Sequence, residues 1–158
     1  MKFEDIKVLF SDIDGTLTDG RLYYSADGEA LKVFHVKDGM GIKNWQKRGF
    51  IFGLLSARKS RAVIKRAEDL GIEHLGLGIE NKIEWMQNWL KENNLQWENI
   101  AYIGDDLNDL EIMKNSAFSA APFDAVEEVK NRANFVAKES GGLGAVREVI
   151  DYMLKKKS

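Results

Sequence analysis

Two aspartates, two residues apart, close the first apolar run of the chain. Asp12-Ile13-Asp14-Gly15-Thr16 follows Ile6-Lys7-Val8-Leu9-Phe10. In extended backbone, residues i and i+2 point the same way, so both carboxylates can face one pocket at the carboxyl end of a strand. A second acidic group, Gly104-Asp105-Asp106-Leu107-Asn108-Asp109, ends a later apolar run, and carboxylate oxygens are the hard ligands that magnesium prefers. Ser56 closes another such run, where its hydroxyl could donate to a phosphate oxygen ahead of a helix N-terminus. Lys82 opens a later helix, where its ammonium could pair with a phosphate and with Asp12. A carboxylate nucleophile, a second carboxylic acid, a divalent cation and cationic clamps are the parts that phosphoryl transfer to an aspartate needs. Singly each signal is weak: an Asp or Ser after a strand is also an ordinary helix N-cap, and Asp106 and Ser56 read equally well that way. Their order, each at a strand end or a helix start, is what points to a site.

The elements that must position these residues follow from the hydropathy pattern. Short apolar runs at 6–10, 51–55, 74–77, 100–104, 117–120 and 134–137 alternate with segments at 39–48, 59–70, 81–94, 107–115, 124–131 and 143–155. The latter carry apolar residues at three-to-four spacing, such as Ile83, Met86, Trp89 and Leu90. The alternation predicts an α/β fold, a Rossmann-like parallel sheet with helices on both faces. Residues 18–36 break it: Ala26-Asp27-Gly28 between alternating aromatic and polar positions predicts a β-hairpin projecting beyond the carboxyl edge of the sheet. Gly141-Gly142-Leu143-Gly144 predicts a flexible loop before the last helix. With no repeat and no linker, residues 1–158 read as one domain, with a hairpin flap at about 18–36 and a Gly-rich tail at about 140–158.

Bulk properties exclude other classes. The chain is 44% hydrophobic and 30% charged, with a formal net charge of −2, which gives no broad reason to bind nucleic acid. No run approaches the length of a membrane span, and no secretory signal is expected. The absence of cysteine removes disulfides and thiolate metal sites and fits a reducing cytoplasm. His74 and the four tryptophans read as packing residues, and the KKK near the C-terminus as a solvated helix end.

The motifs FSDIDGT, LLS, Lys82 and GDDLND together resemble the haloacid dehalogenase superfamily over residues 6–136. The resemblance implies that Asp12 is the nucleophile and Asp14 the general acid and base. It also implies that Ser56 and Lys82 hold the phosphate, and that Mg2+ is bound by Asp12, the Asp14 backbone carbonyl and Asp105. Asp109 would support the ion from behind or stabilise the loop. To act as an acid near neutrality, Asp14 needs its protonated form favoured, which neighbouring carboxylates and burial could accomplish. Most relatives carry a cap domain of many tens of residues, for which the intervals here leave no room, so another lid is needed, such as a neighbouring subunit.

Longer pieces narrow the resemblance. TDGRLYY, VFHVKDGMGIK, the arginine of SARKS, RAEDLGI, AYIGDDLND and GGLGAVREVI are similar to the capless sugar-acid phosphatases acting on 3-deoxy-D-manno-octulosonate 8-phosphate. That resemblance implies a role in lipopolysaccharide sugar biosynthesis, a homotetramer, and an anionic substrate bound by His35, Val36, Lys37, Asp38 and Gly39. It adds the cations Lys43, Arg58, Arg66 and Lys82, and guanidinium can grip a carboxylate bidentately. A sister group acting on a nine-carbon 3-deoxy-nonulosonate 9-phosphate has glutamate at the position of Arg58, so arginine favours the eight-carbon acid. Arg147 could reach substrate or serve its own helix. A phosphoacceptor signalling domain is the alternative of a different class, but its acidic pair precedes the acceptor aspartate.

Overall fold

The computed structural model describes residues 2–157, so the two outermost positions of the expected 1–158 domain lie outside the described residues. Six strands form one parallel sheet: β1 (Val8–Ser11), β4 (Ile51–Ser56), β5 (His74–Leu77), β6 (Ile100–Ile103), β7 (Phe118–Ala121) and β8 (Phe135–Val136). Their spatial order is β5-β4-β1-β6-β7-β8. The chain leaves β1 on one side through β4 and β5, then crosses back to place β6 on the other. β1 is therefore central, and the crevice beside its carboxyl end is the topological switch point where such sheets bind ligands.

Side-chain alternation divides the core between two faces. Leu9, Phe52, Leu54, Ala101, Ile103 and Ala120 meet α1 (Val36–Lys47), α2 (Arg61–Leu70) and α6 (Ala145–Lys156) through Ile42, Trp45, Val63, Ala67, Val149 and Met153. Val8, Phe10, Leu55, Ile100 and Tyr102 meet α3 (Lys82–Glu92), α4 (Leu110–Asn115) and α5 (Glu127–Arg132) through Met86, Trp89, Ile112 and Val129. On this second face the ring of Phe10 lies edge-on to Trp89, with centroids 4.9 Å apart. Strand β1 is buried at every position, and its sequence accordingly runs through three consecutive apolar residues, Val8-Leu9-Phe10, before Ser11. No helix of the described residues is long and apolar enough to cross a membrane.

The hairpin is present and shorter than the flap expected at 18–36: β2 (Tyr23–Ser25) and β3 (Gly28–Leu31) pair antiparallel as a separate two-stranded sheet. Helix α1 starts at Val36 rather than at 39, because the imidazole of His35 caps it by accepting from the Lys37 N–H at 3.1 Å. The segment expected as one helix at 107–115 is instead a 3₁₀ turn, Leu107–Asp109, followed by α4. The Gly-rich stretch is not the flexible loop expected. Gly142 N donates to Thr16 O and Gly141 N to Asp124 Oδ1, at 3.1 and 2.9 Å. A Cβ on Gly141 would fall 2.0 Å from the Gly15 carbonyl oxygen. These glycines serve close packing of one backbone on another.

Candidate active site

The loop after β1 turns back on itself through three amides, those of Thr16, Leu17 and Thr18, which all donate to Ile13 O. Asp12 N donates to Ile103 O at 2.9 Å, fixing the first aspartate against β6. Gly15 has φ +88°, and a Cβ there would lie 2.1 Å from Asp105 Oδ2. The tight turn and the close approach of the second acidic loop therefore both require glycine. From the far side, Thr16 Oγ1 donates to Asp105 Oδ1 at 2.9 Å.

Lys82, 3% exposed at the start of α3, connects the two acidic loops. Its Nζ donates to Asp12 Oδ1 at 3.0 Å and to Asp109 Oδ1 at 2.8 Å. Asp109 is fully buried and also accepts from Tyr102 OH at 2.8 Å and from the amides of Asp105 and Asp106 at 3.0 and 3.3 Å. A carboxylate offers about four lone-pair sites, so these four donors saturate Asp109. Oxygens of Asp12, Asp105 and Asp109 lie within 4.8 Å of one another. With Asp109 saturated, Asp12 and Asp105 are the two of this group with lone pairs left for a cation, and Asp109 holds their loop.

The electrostatics fit a divalent cation. Burial, then the charge of Asp109, pushes the Asp12 carboxyl well above the usual carboxylate range against the opposing charge of Lys82. Burial, with Asp109 and Asp106 beside it, raises Asp105 to about 6. Burial would depress the Lys82 ammonium, but Asp109 and Asp12 hold it above its ordinary value. Carboxylates crowded out of water in this way favour protons or a hard cation, and the all-oxygen donor set suits Mg2+.

Asp14 departs from its expected surroundings. Instead of carboxylates, its Oδ1 meets Lys32 Nζ at 2.6 Å and its Oδ2 lies 3.9 Å from Arg58 Nε. The carboxylates crowded together are Asp12, Asp105 and Asp109, of which Asp12 and Asp109 are buried and Asp105 is half-buried. Sequence reasoning missed Lys32, whose side chain is 3% exposed although it directly follows a short hairpin strand that is exposed at its last two positions. The only signal was its charge amid alternating apolar positions, which reads equally as solvated. Burial works against its ammonium, but Asp14 and Glu29 together raise it above its ordinary value.

The remaining expected site residues divide. Ser56 is 3% exposed, and its Oγ accepts from Arg58 N at 3.2 Å, which leaves its proton free to donate. Arg58 also donates to Tyr24 OH at 2.9 Å, reaching from the end of β4 to the hairpin. Val36, Lys37 and Lys43 are exposed on α1. Arg66 packs 5.6 Å above the Phe34 ring, close over Gly39. Asp38 is buried and accepts from Arg147 N at 2.9 Å, tying α1 to the start of α6. The Arg147 side chain pairs with Asp151 at 2.8 Å on its own helix. Asp106 caps the turn that follows it by accepting from Leu107 N at 2.7 Å, as the alternative reading of that residue has it. His74 accepts from Trp89 Nε1 at 3.3 Å, a packing contact.

Residues 78–150 match the family of haloacid dehalogenase-like hydrolases. The chain is 40% identical over 153 residues to the 3-deoxy-D-manno-octulosonate 8-phosphate phosphatase KdsC of Escherichia coli K12, covering 97% of this chain and 81% of that protein. It is 42% identical over 154 residues to KdsC of Haemophilus influenzae, covering 98% and 86%. The cobalt-bound structure of the Haemophilus influenzae phosphatase superposes with a TM-score of 0.95 at 41% identity, over 99% of this chain and 92% of that one. The Moraxella catarrhalis phosphatase, solved with magnesium, phosphate and KDO, superposes with a TM-score of 0.94 at 33% identity, over 98% and 89%.

Proposed function

Because the chain belongs to the family of 3-deoxy-D-manno-octulosonate 8-phosphate phosphatases within the haloacid dehalogenase-like hydrolases, we propose that it hydrolyses that sugar-acid phosphate to the free acid and inorganic phosphate, with residues 2–157 forming its phosphatase domain. The observation that carries the reading is the Lys82 bridge, 3.0 Å to Asp12 and 2.8 Å to the saturated Asp109, with Asp105 alongside. Asp12 and Asp105, with the Asp14 backbone carbonyl, would hold Mg2+, which would supply the positive charge that lets a carboxylate approach an anionic phosphate.

In the first step Asp12 Oδ2 attacks phosphorus, the bond to the sugar oxygen breaks, and Asp14 delivers a proton to that oxygen. Lys82 and Ser56 hold the phosphoryl oxygens, and Lys82 balances charge on Asp12. In the second step Asp14, now a carboxylate, takes a proton from water, which attacks phosphorus and releases phosphate from Asp12. Two carboxylates two residues apart thus divide the work, one bonding to phosphorus and one moving protons.

Arg58 lies beside Asp14 with its side chain 40% exposed, and in this reading it grips the carboxylate of the keto acid, arginine here favouring the eight-carbon over the nine-carbon substrate. His35, Lys37, Lys43 and Arg66 complete the anionic-substrate surface in this reading. Leu22, Tyr24, Leu31, Val33, Val36 and Met40 are exposed apolar residues around the hairpin and the start of α1. They favour association between copies of the chain, and in this reading a homotetramer encloses the pocket with neighbouring hairpins and works in the cytoplasm on lipopolysaccharide sugar synthesis.

Phosphate release from a panel of sugar phosphates, with Mg2+ or with EDTA, tests the reading. The eight-carbon keto-acid phosphate is expected to turn over fastest, only with metal, and Asp12→Asn to lose at least about a thousand-fold in kcat. Turnover by Asp12→Asn at the parent rate would falsify the mechanism. Arg58→Glu is expected to raise KM for the keto-acid phosphate by ten-fold or more, on the order of 1.4 kcal/mol, and to impair hydrolysis of a generic aryl phosphate less. Equal losses on both would remove the argument for the substrate.

A further inference from the structure

The hairpin contributes a residue that the mechanism above does not use. Lys32 directly follows β3, and its side chain is only 3% exposed. Its Nζ lies 2.6 Å from Asp14 Oδ1 and 3.0 Å from Glu29 Oε2. Glu29 is fixed in turn by Ser60 Oγ, which donates to its Oε1 at 2.6 Å. Ser60 is the N-cap of α2, its Oγ accepting from Val63 N. A continuous chain of charge-assisted contacts therefore runs from the N-terminus of a core helix, through the hairpin, to Asp14.

Taking an ammonium out of water is costly unless partners are held in good geometry. For tethering the hairpin alone, an apolar side chain of similar length would fill the same space without that cost. The lysine instead occupies Oδ1 of Asp14, leaving Oδ2 as the oxygen nearer Arg58, 3.9 Å from its Nε. A carboxyl group rotates about its Cβ–Cγ bond unless one oxygen is held, and proton delivery requires a heavy-atom approach of about 2.6–3.2 Å to the leaving oxygen.

We infer that Lys32 is a positioning residue for the acid–base step: with Glu29 and Ser60 behind it, it clamps one oxygen of Asp14 so that the other faces the leaving group. This rests on the reading of Asp14 as general acid and base. The role has a signature that simple tethering lacks. A nitrophenolate leaves without a proton, whereas a phenolate or sugar alkoxide needs one, so loosening Asp14 slows poor leaving groups selectively.

The test is kcat/KM across a series of aryl phosphates of similar size and graded leaving-group pKa, for the parent, Lys32→Met, Glu29→Gln and Asp14→Asn. Lys32→Met is expected to steepen the leaving-group dependence, lowering the phenyl to 4-nitrophenyl ratio by about ten-fold or more out of the 10²–10⁴ that a general acid supplies. Glu29→Gln should steepen it in the same sense by less, and Asp14→Asn should set the upper limit. If Asp14→Asn steepens the series while Lys32→Met and Glu29→Gln lose rate in parallel across it, or not at all, Lys32 has no positioning role and Asp14 keeps its own. If Asp14→Asn leaves the slope unchanged, the acid–base reading fails and this inference falls with it. Should Lys32→Met not fold, Glu29→Gln, a partly exposed site, decides the question.

Discussion

At the scale of single residues, the site is organised by which carboxylates have spare lone pairs. Asp109 has none, so its work is to hold the amides of Asp105 and Asp106 and to anchor Lys82. Asp105, raised to about 6, has a consequence for stability. Its proton is bound more tightly in the folded chain than in the unfolded one, where the value is 3.8. The metal-free protein is therefore expected to lose stability as pH rises from about 4 to about 6, by on the order of 2 kcal/mol, and to level off above that. With Mg2+ present the sign should reverse, since the cation needs the ionised form. Denaturant midpoints between pH 4.5 and 7 in EDTA, compared with Asp105→Asn, check this: the slope should become shallower in the variant, with the remainder left to Asp12 and Asp38, whose carboxyls burial also raises, and an equal slope would assign the effect elsewhere. Asp12, Ser56, Lys82 and Asp105 were legible from the sequence because each ends a strand or opens a helix, and a parallel sheet brings those positions to one edge. Lys32 was not, since its burial depends on Asp14 and Glu29 closing over it.

At the scale of elements, the strands and helices were legible wherever one periodicity persisted. The boundaries that moved did so for local reasons: the imidazole cap of His35 starts α1 early, and the hydrogen bonds of Asp106 and Asp109 tighten the start of the 107–115 segment into a 3₁₀ turn. The Gly-rich stretch was misjudged because glycine marks close approach as well as mobility, and only tertiary packing distinguishes them. Gly141 meets the carbonyl oxygen of Gly15 in the turn that follows Asp12 and Asp14. Gly141→Ala should therefore displace that turn and cost about 2–4 kcal/mol. It should also lower kcat by ten-fold or more even where the protein remains folded. Urea unfolding together with steady-state rates checks it, and a variant with parent stability and rate would show that the loop yields freely.

At the scale of the whole molecule, the exposed apolar set near the hairpin makes a prediction about assembly. Met40 is 51% exposed on α1, and glutamate is a good helix former, so Met40→Glu should leave the single chain intact. In the proposed tetramer it would bury a charge between subunits. Sedimentation is expected to give four copies for the parent and smaller species for the variant, with KM for the sugar-acid phosphate raised; a monomeric parent with full activity would remove the shared lid. The spacing of Asp12 and Asp14 has a different consequence. Asp12 is held by Lys82 on the α3 face, whereas Asp14 is held by Lys32 from the hairpin and, through Glu29 and Ser60, by α2 on the opposite face. Neighbours in the chain thus answer to separate halves of the protein. Mutational drift in the hairpin can retune how readily a given leaving group departs without disturbing the bond-forming carboxylate, so this scaffold is free to diversify its substrates while its chemistry stays put.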